Sequence, residues 1–260
     1  MTGIPLRRGL AWLASTALIA FGVVGLTSTP ALALPAQCSG TETNGPDTIV
    51  CPFLLPGQTI NSLGGNDTIT ILVNANGTVN SGAGNDIITA GNVDSAGNFD
   101  TGLGDDTVRI LGNHAGNSIS TGDGNDFVEV TGNNSGLINT AGGADRLVIH
   151  GTALADDMHL GSGADFANIN ILAVDGNSLH GDGGDDNLTV TTCNLSTVAG
   201  DDGGDTIDVT DANGCNVLGG AGNDNIHEGA EATGTVDGGA GTDMCTEDIP
   251  FLGTESNCEV

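Results

Sequence analysis

The chain has 260 residues, and its composition is that of a strongly acidic protein with few large side chains. Lys and Arg number 4 against 33 Asp and Glu, which gives a formal net charge of -29, and aromatic residues make up 3%. Such a charge repels nucleic acid and anionic lipid and attracts cations. With so few aromatic residues, we expect burial to come from many small, equivalent layers and not from one compact core.

The N-terminal segment, residues 1–33, is typical of a secretory signal peptide. Arg7 and Arg8 form its charged start, residues 10–26 are apolar or small, and Ala31-Leu32-Ala33 is a small-residue cleavage site. We expect a secreted, extracellular or cell-surface protein with no membrane span after cleavage. A retained membrane anchor is disfavoured, because an apolar stretch of about 17 residues is short for a span.

Beyond residue 60, aspartates recur at intervals of 19, 20 or 21 residues, each with a glycine two positions before it. The turn Thr121-Gly122-Asp123-Gly124-Asn125-Asp126 is representative. A fixed period of this length indicates a repeat protein and not two ordinary domains. We call the recurring aspartates the aspartate column: Asp67, Asp86, Asp106, Asp126, Asp145, Asp165, Asp186, Asp205, Asp224 and Asp243. The preceding glycines are Gly65, Gly84, Gly104, Gly124, Gly143, Gly163, Gly184, Gly203, Gly222 and Gly241.

Apolar residues keep fixed positions relative to each aspartate of the column. The positions two and four later are apolar in nearly every repeat, as at Val128 and Val130, and the position seven before is apolar in all of them, as at Ile119. Alternation of this kind predicts strands with one buried face. Two short strands and two glycine-rich turns per repeat predict an all-β fold, a parallel β-roll or β-solenoid of about ten coils with 19–21 residues per coil.

Six cysteines suit an oxidising environment outside the cell. Two bracket the segment before the repeats, two bracket the segment after them, and two lie about one repeat apart. A zinc site is disfavoured, because the sequence has no C-x-x-C pair. The expected disulfides are Cys38–Cys51, Cys193–Cys215 and Cys245–Cys258. The expected organisation is an N-terminal cap at 34–59, solenoid repeats at 60–243 and a disulfide-closed C-terminal cap at 244–260.

The stacking of coils predicts a metal requirement. Neighbouring carboxylates would lie about 5 Å apart in one line, and each adjacent pair would repel by about 1 kcal/mol even in water. Glycine two and usually four positions before the aspartate permits positive φ and turns carbonyls toward the same line. An all-oxygen shell suits several Ca²⁺ ions. The predicted metal ligands are the aspartate column with Gly82, Gly84, Gly102, Gly104, Gly122, Gly124, Gly220, Gly222, Gly239 and Gly241.

At these turns the sequence resembles a known family. Gly82-Ala83-Gly84-Asn85-Asp86, Gly220-Ala221-Gly222-Asn223-Asp224 and Gly238-Gly239-Ala240-Gly241-Thr242-Asp243 are similar to the G-G-x-G-x-D-x-U-x nonapeptide of RTX, or haemolysin-type, calcium-binding proteins. The resemblance covers about residues 60–245. It implies a right-handed parallel β-roll in which Ca²⁺ is held between successive turns by the aspartates and nearby carbonyls.

The chain departs from that family's pattern in three respects. It has one motif per coil, it has none of the protease, lipase or toxin domains that usually accompany the repeats, and four residues stand where the first glycine is expected: Leu63, Ala141, Asp182 and Asp201. The acidic end around Cys245 and Cys258 resembles small exported calcium-binding proteins of actinobacteria.

The function predicted from these patterns is non-catalytic. We expect a secreted calcium-binding repeat protein in which Ca²⁺ drives folding, with a structural or interaction role outside the cell. Calcium ions are the expected partners, and a cell-envelope component or an extracellular polymer is the candidate macromolecular partner.

Two alternatives stay open at this point. Some β-solenoids are polysaccharide lyases or hydrolases, although only Arg109 and Arg146 follow the leader as cations for an acidic substrate. The repeat also resembles the ice-binding solenoid of a bacterial adhesin, but the position three before each aspartate never carries threonine.

His159 and His180, both six positions before an aspartate, are expected to stack as exposed residues, with a two-histidine metal site less favoured.

Overall fold

A computed structural model describes residues 34–259, apart from 155–156, 174–175, 231–232 and 249–251. Over these residues the chain forms strands and turns with no helix, and it therefore offers no helix that could cross a membrane. The expected signal peptide, residues 1–33, lies outside the described residues. Successive strands alternate between two parallel sheets of 11 strands each, so the architecture is the predicted β-solenoid.

The first sheet contains the odd-numbered strands, stacked in chain order. They are β1 (Thr48–Cys51), β3 (Thr68–Ala75), β5 (Ile87–Val93), β7 (Thr107–Ile110), β9 (Phe127–Val130), β11 (Arg146–Ala153), β13 (Phe166–Ala173), β15 (Asn187–Asn194), β17 (Thr206–Asn213), β19 (Asn225–Ala230) and β21 (Met244–Glu247). The second sheet contains β2 (Thr59–Asn61), β4 (Thr78–Asn80), β6 (Asn98–Asp100), β8 (Ser118–Ser120), β10 (Leu137–Asn139), β12 (Asp157–His159), β14 (Ser178–His180), β16 (Thr197–Asp202), β18 (Asn216–Gly222), β20 (Thr235–Gly241) and β22 (Thr254–Ser256).

Equivalent positions of successive repeats pair in register in both sheets. Ile69 pairs with Ile88 in the first sheet, and Ile60 pairs with Val79 in the second. These residues belong to the apolar positions identified from the sequence, and all four side chains are fully buried in one continuous core cluster. The core is therefore a stack of small layers, as the composition predicted.

Coils differ in length by one or two residues, and the register shifts that accommodate this difference lie away from the aspartate column. The pairing of β3 with β5 shifts register between Ile71 and Asn74, and that of β11 with β13 shifts between Ile149 and Thr152. Both shifts lie in the second half of a first-sheet strand, several residues after the aspartate. Repeats of 19 to 21 residues can therefore stack without moving the column out of line.

Both terminal segments contribute strands to the solenoid. The segment 34–59 supplies β1 and the first residue of β2, and 244–260 supplies β21 and β22. Ser39 pairs antiparallel with Val50, with both N–H to O distances at 2.8 Å, and so covers the outer edge of β1. This contact blunts an edge that could otherwise pair with another chain. The three predicted disulfides are confirmed: Cys38–Cys51, Cys193–Cys215 and Cys245–Cys258.

The glycine two positions before each aspartate is required for two reasons. Its φ lies between 112° and 157° in all ten repeats. A Cβ there would also lie 1.4–2.4 Å from backbone atoms of the preceding coil. Four positions before the aspartate, the residues that replace glycine keep φ values of 65–76°: Leu63, Ala141, Asp182 and Asp201. The turn conformation is thus kept in every repeat, although a non-glycine residue in this region costs about 1–2 kcal/mol.

The first prediction concerns two adjacent glycines of one turn. Gly143→Ala is expected to destabilise the protein by about 3 kcal/mol, because its Cβ would lie 1.7 Å from the Gly124 carbonyl oxygen at a φ of 137°. Gly142→Ala is the matched control, since its Cβ would lie 3.2 Å from Ser162 Oγ and 3.5 Å from Asp123 Oδ1, both atoms of side chains that can move. Urea unfolding in calcium measures both variants. Equal unfolding midpoints would contradict the described turn.

Candidate metal centre

The structure brings all ten predicted aspartates into one buried line. Each aspartate immediately precedes a first-sheet strand, so the parallel register of that sheet aligns them; Thr68, for example, pairs with Ile87, which places Asp67 beside Asp86. Their exposed fractions are only 1–3%. A file of carboxylates is therefore present at the position where the repeat spacing predicted it.

One oxygen of each carboxylate accepts a hydrogen bond from the neighbouring coil. The Asp67 N–H donates to Asp86 Oδ1 at 2.8 Å, and the Asp145 N–H donates to Asp165 Oδ1 at 2.6 Å. The same bond, at 2.6–2.9 Å, joins every consecutive pair along the line. Each carboxylate thus fixes the backbone of the preceding coil at the entrance to a strand.

The second oxygen, Oδ2, is buried without a hydrogen-bond partner among the described residues in all ten aspartates of the column. A buried polar atom without a partner costs about 1–3 kcal/mol, and more when it is charged. Two arrangements would relieve this cost: Oδ2 can carry a proton, or it can face a cation. The orphaned oxygens therefore fit a line of metal ions, and their hard-donor chemistry fits Ca²⁺.

Burial raises the pKa values of these carboxyls. Desolvation is the largest cause at Asp106 and Asp205, where it raises the pKa to about 6, and at Asp145 and Asp186, where it raises the pKa to about 7. Charge on neighbouring aspartates adds to the increase, and the backbone N–H donors oppose it. In the absence of a cation, Asp145 and Asp186 would be partly protonated near neutral pH.

The residue five positions before the aspartate shapes the space beside Oδ2, and the sequence analysis did not identify this role. In the first five repeats it is a buried Ser or Thr whose hydroxyl donates to a backbone carbonyl of the next coil at 2.6–3.4 Å, as Thr140 does to Leu160. The same hydroxyls also lower the pKa of their own aspartates. With one proton, a hydroxyl can serve the carbonyl or the carboxylate but not both.

In the last four repeats that position is glycine. A Cβ at Gly181, Gly200, Gly219 or Gly238 would lie 2.1–2.9 Å from Oδ2 of the aspartate in the same repeat. These glycines therefore permit close approach of a carboxylate, whereas their neighbours in the turn provide positive φ. In the sequence these two roles are visible as the glycine pairs Gly219-Gly220 and Gly238-Gly239, in which the first glycine makes room for the carboxylate and the second adopts positive φ.

The column begins one repeat earlier than the sequence analysis placed it. Asp47 is buried, its N–H donates to Asp67 Oδ1 at 2.8 Å, and Gly45 precedes it by two positions. Unlike the others, its carboxylate is held by the Thr41 hydroxyl and the Thr43 N–H, both at 2.6 Å, and the Thr41 hydrogen bond is the main cause of its lowered pKa. The first carboxylate of the line is thus satisfied by protein donors.

The other end is closed by a residue with no spacing signal. Glu259 Oε2 accepts the Asp243 N–H at 2.6 Å, the bond that a further aspartate would otherwise make. Its own N–H donates to the Asp243 carbonyl at 2.7 Å. Cys258, one residue before, is tied by the disulfide to Cys245. The C-terminal disulfide therefore positions the last acceptor of the line.

The predicted glycine ligands lie in the turns beside the column, and their carbonyls are already partly used. The Gly82 carbonyl accepts the Leu103 N–H at 2.9 Å, and the Gly102 carbonyl accepts the Asp123 N–H at 3.2 Å. Each carbonyl oxygen has a second lone pair that could face a cation. Their role as calcium ligands stays a prediction.

The histidines lie elsewhere in the fold. His159 and His180 stack on adjacent coils as predicted, with ring centroids 4.8 Å apart. Each of the other three histidines has a side-chain partner on an adjacent coil. The contacts are His114 Nδ1 to Asn134 Oδ1 at 2.6 Å, His150 Nε2 to Glu129 Oε1 at 3.1 Å and His227 Nδ1 to Thr246 Oγ1 at 3.1 Å.

The raised pKa values predict an unusual pH dependence of the metal-free protein. The unfolded chain has ordinary aspartate pKa values of 3.8, whereas folded Asp106, Asp145, Asp186 and Asp205 have values of about 6 to 7. Their contribution to stability is therefore present at about pH 4 and lost as the pH rises through 6 to 7. In EDTA, the midpoint of thermal unfolding should therefore fall as the pH is raised from about 4 to 7. A midpoint that rises from pH 4.5 to 7.5 would contradict the assignment.

No protein-family model matches the chain, and the comparisons with curated proteins and with solved structures likewise found no significant match.

Proposed function

We propose that the chain is a secreted calcium-binding repeat protein in which Ca²⁺ at the aspartate column drives folding, with a structural or interaction role outside the cell. The observation that carries the proposal is the unpartnered Oδ2 atom in ten successive repeats. Ca²⁺ takes six to eight oxygen ligands in flexible geometry, which suits a line of carboxylates and carbonyls better than the stricter octahedron of Mg²⁺. The bound ion would supply positive charge beside Oδ2 atoms that have no partner among the described residues.

The residues of the chain prepare this line before any ion binds. The Oδ1 hydrogen bond fixes the orientation of each carboxylate, and the glycine two positions before it lets successive coils approach closely. Since every carboxylate contacts the backbone of another coil, neutralising the line also favours the winding of neighbouring coils onto each other. Binding and folding are then coupled.

Two features support action outside the cell. The three disulfides belong to the described part of the chain, and such bonds persist mainly in oxidising compartments. A fold that depends on calcium would also stay loose in a calcium-poor cytosol and wind up after export. The absence of catalytic activity stays a prediction.

The direct test is far-UV circular dichroism of residues 34–260 at pH 7.5, first in EDTA and then with calcium added to about millimolar levels. We expect a weakly structured metal-free chain that gains a β-sheet spectrum on calcium addition. Magnesium at equal concentration is the control, and it should restore less structure. A β-sheet spectrum that is complete in EDTA and unchanged by calcium would overturn the proposal.

Substituting two adjacent aspartates can separate the hydrogen-bonding role of the column from its charge. Asp106→Asn keeps an Oδ1 acceptor for the Asp86 N–H but removes the charge of the orphaned oxygen. We expect it to shift the metal-free protein toward the folded state at pH 7.5 by about 1 kcal/mol and to reduce the stabilisation by calcium.

Asp105→Asn is the matched control for that variant. Asp105 is exposed, its Oδ1 accepts the Asn125 N–H at 2.9 Å, and asparagine occupies the same position in other repeats, as at Asn85. Far-UV circular dichroism with and without calcium compares the two variants. If Asp105→Asn and Asp106→Asn alter the calcium response equally, general acidity and not the column is responsible.

A further inference from the structure

A second cluster of metal-ligating side chains lies outside the aspartate column. His159 and His180 end the consecutive second-sheet strands β12 and β14 and pair directly with each other. Their rings are nearly parallel, with 9° between the planes. Each ring faces an aspartate from the turn of the following repeat, Asp182 for His159 and Asp201 for His180.

The donor atoms of this cluster converge. His159 Nδ1 lies 2.9 and 3.0 Å from the two carboxylate oxygens of Asp182, and His180 Nδ1 lies 2.7 Å from Asp201 Oδ2. One ligand atom from each of His180, Asp182 and Asp201 falls within 4.8 Å of the others. The side chains are 27–40% exposed, so the cluster is accessible from solvent.

The backbone supports a specific role for the two aspartates. Asp182 and Asp201 stand four positions before the column, where six of the ten repeats have glycine, and they adopt φ values of 67° and 70°. Leu63 and Ala141 adopt similar values, so the strain alone indicates no ligand. The informative feature is the coincidence: two strained aspartates occupy consecutive repeats, each directly opposite a histidine. Strain of this kind often persists where a side chain has a function.

We propose that His180, Asp182 and Asp201 form a binding site for a first-row transition metal such as Zn²⁺, with His159, which contacts Asp182, able to join them. Imidazole nitrogen with carboxylate oxygen is a donor set that zinc accepts, whereas Ca²⁺ prefers oxygen alone. Two ligands on a tetrahedral zinc lie about 3.3 Å apart, close to the nitrogen–oxygen distances already present. Small side-chain movements would complete the set, and the net charge of -29 favours cation approach.

This site differs from the aspartate column in position and in chemistry. Column members are 1–3% exposed and offer oxygen only, whereas the histidine–aspartate cluster is half-buried and adds nitrogen. The two proposals can therefore fail independently. A chain that folds without calcium could still bind zinc, and a calcium-dependent chain could lack the zinc site.

The test is isothermal titration of Zn²⁺ into the calcium-saturated protein. The wild type should show one saturable site, and His180→Ala should weaken it by at least about tenfold, the effect of removing a ligand or its support. His150→Ala is the matched control, because His150 is an exposed imidazole with one carboxylate neighbour, Glu129 at 3.1 Å. It should leave zinc affinity unchanged. Absence of a saturable site, or equal loss in both variants, would overturn the proposal.

A second variant separates ligation from folding. Asp182→Gly with Asp201→Gly removes two carboxylates and restores the residue that suits positive φ. We expect zinc binding to be lost while the thermal midpoint without zinc stays the same or rises. If the double variant still binds zinc like the wild type, the assigned residues are wrong. If the thermal midpoint of the double variant falls and the wild type binds no zinc, the two histidine–aspartate pairs have only a structural role.

Discussion

The hydrogen bond from each aspartate N–H to Oδ1 of the next aspartate is the interaction on which the rest of the structure depends. It ties consecutive coils together at the edge where the chain enters the first sheet, and it holds every carboxylate in one orientation. In that orientation Oδ2 is buried without a partner. The contact that aligns the coils therefore also creates the need for charge neutralisation. The architecture and the proposed metal requirement have a common origin in the two oxygens of one side chain.

This constraint is local, and the opposite part of each coil is free to vary. Register shifts occur after Ile71 and Ile149, and the same region contains the buried polar pair His114 and Asn134 within an otherwise apolar core. Next to the column such changes would separate Oδ1 from the N–H that it accepts. The repeat can thus lengthen by a residue or two, or admit a polar pair, only where the carboxylate geometry is unaffected.

The features that recur in every repeat could be predicted from the sequence, because ten equivalent observations support each of them. The aspartates and the buried apolar positions belong to this class, whereas the three cysteine pairs were predicted from their positions before, within and after the repeats. Asp47 carries the same signal through Gly45 and its interval of 20 residues, but its repeat lacks the apolar residue seven positions before. Glu259 has no such signal, since it completes the line from only 16 residues away. Which carboxylate oxygen lacks a partner depends on side-chain orientation, which periodicity does not specify.

Protein groups finish both ends of the column, but only Asp47 has both carboxylate oxygens satisfied by them. Thr41 and Thr43 satisfy Asp47 and lower its pKa, and Glu259 completes the bond to Asp243. In the repeats between the two ends, nearby hydroxyls do not cancel the rise in carboxyl pKa that burial causes. The Thr140 hydroxyl lowers the pKa of Asp145, but desolvation has the larger effect and the pKa still reaches about 7. Desolvation, not the presence of a particular hydroxyl, therefore decides how strongly a carboxylate needs a counter-charge. The protein satisfies the carboxylate at one end, and each of the ten that follow keeps an oxygen that a proton or a cation must stabilise, so the stability of the solenoid depends on every repeat of the column.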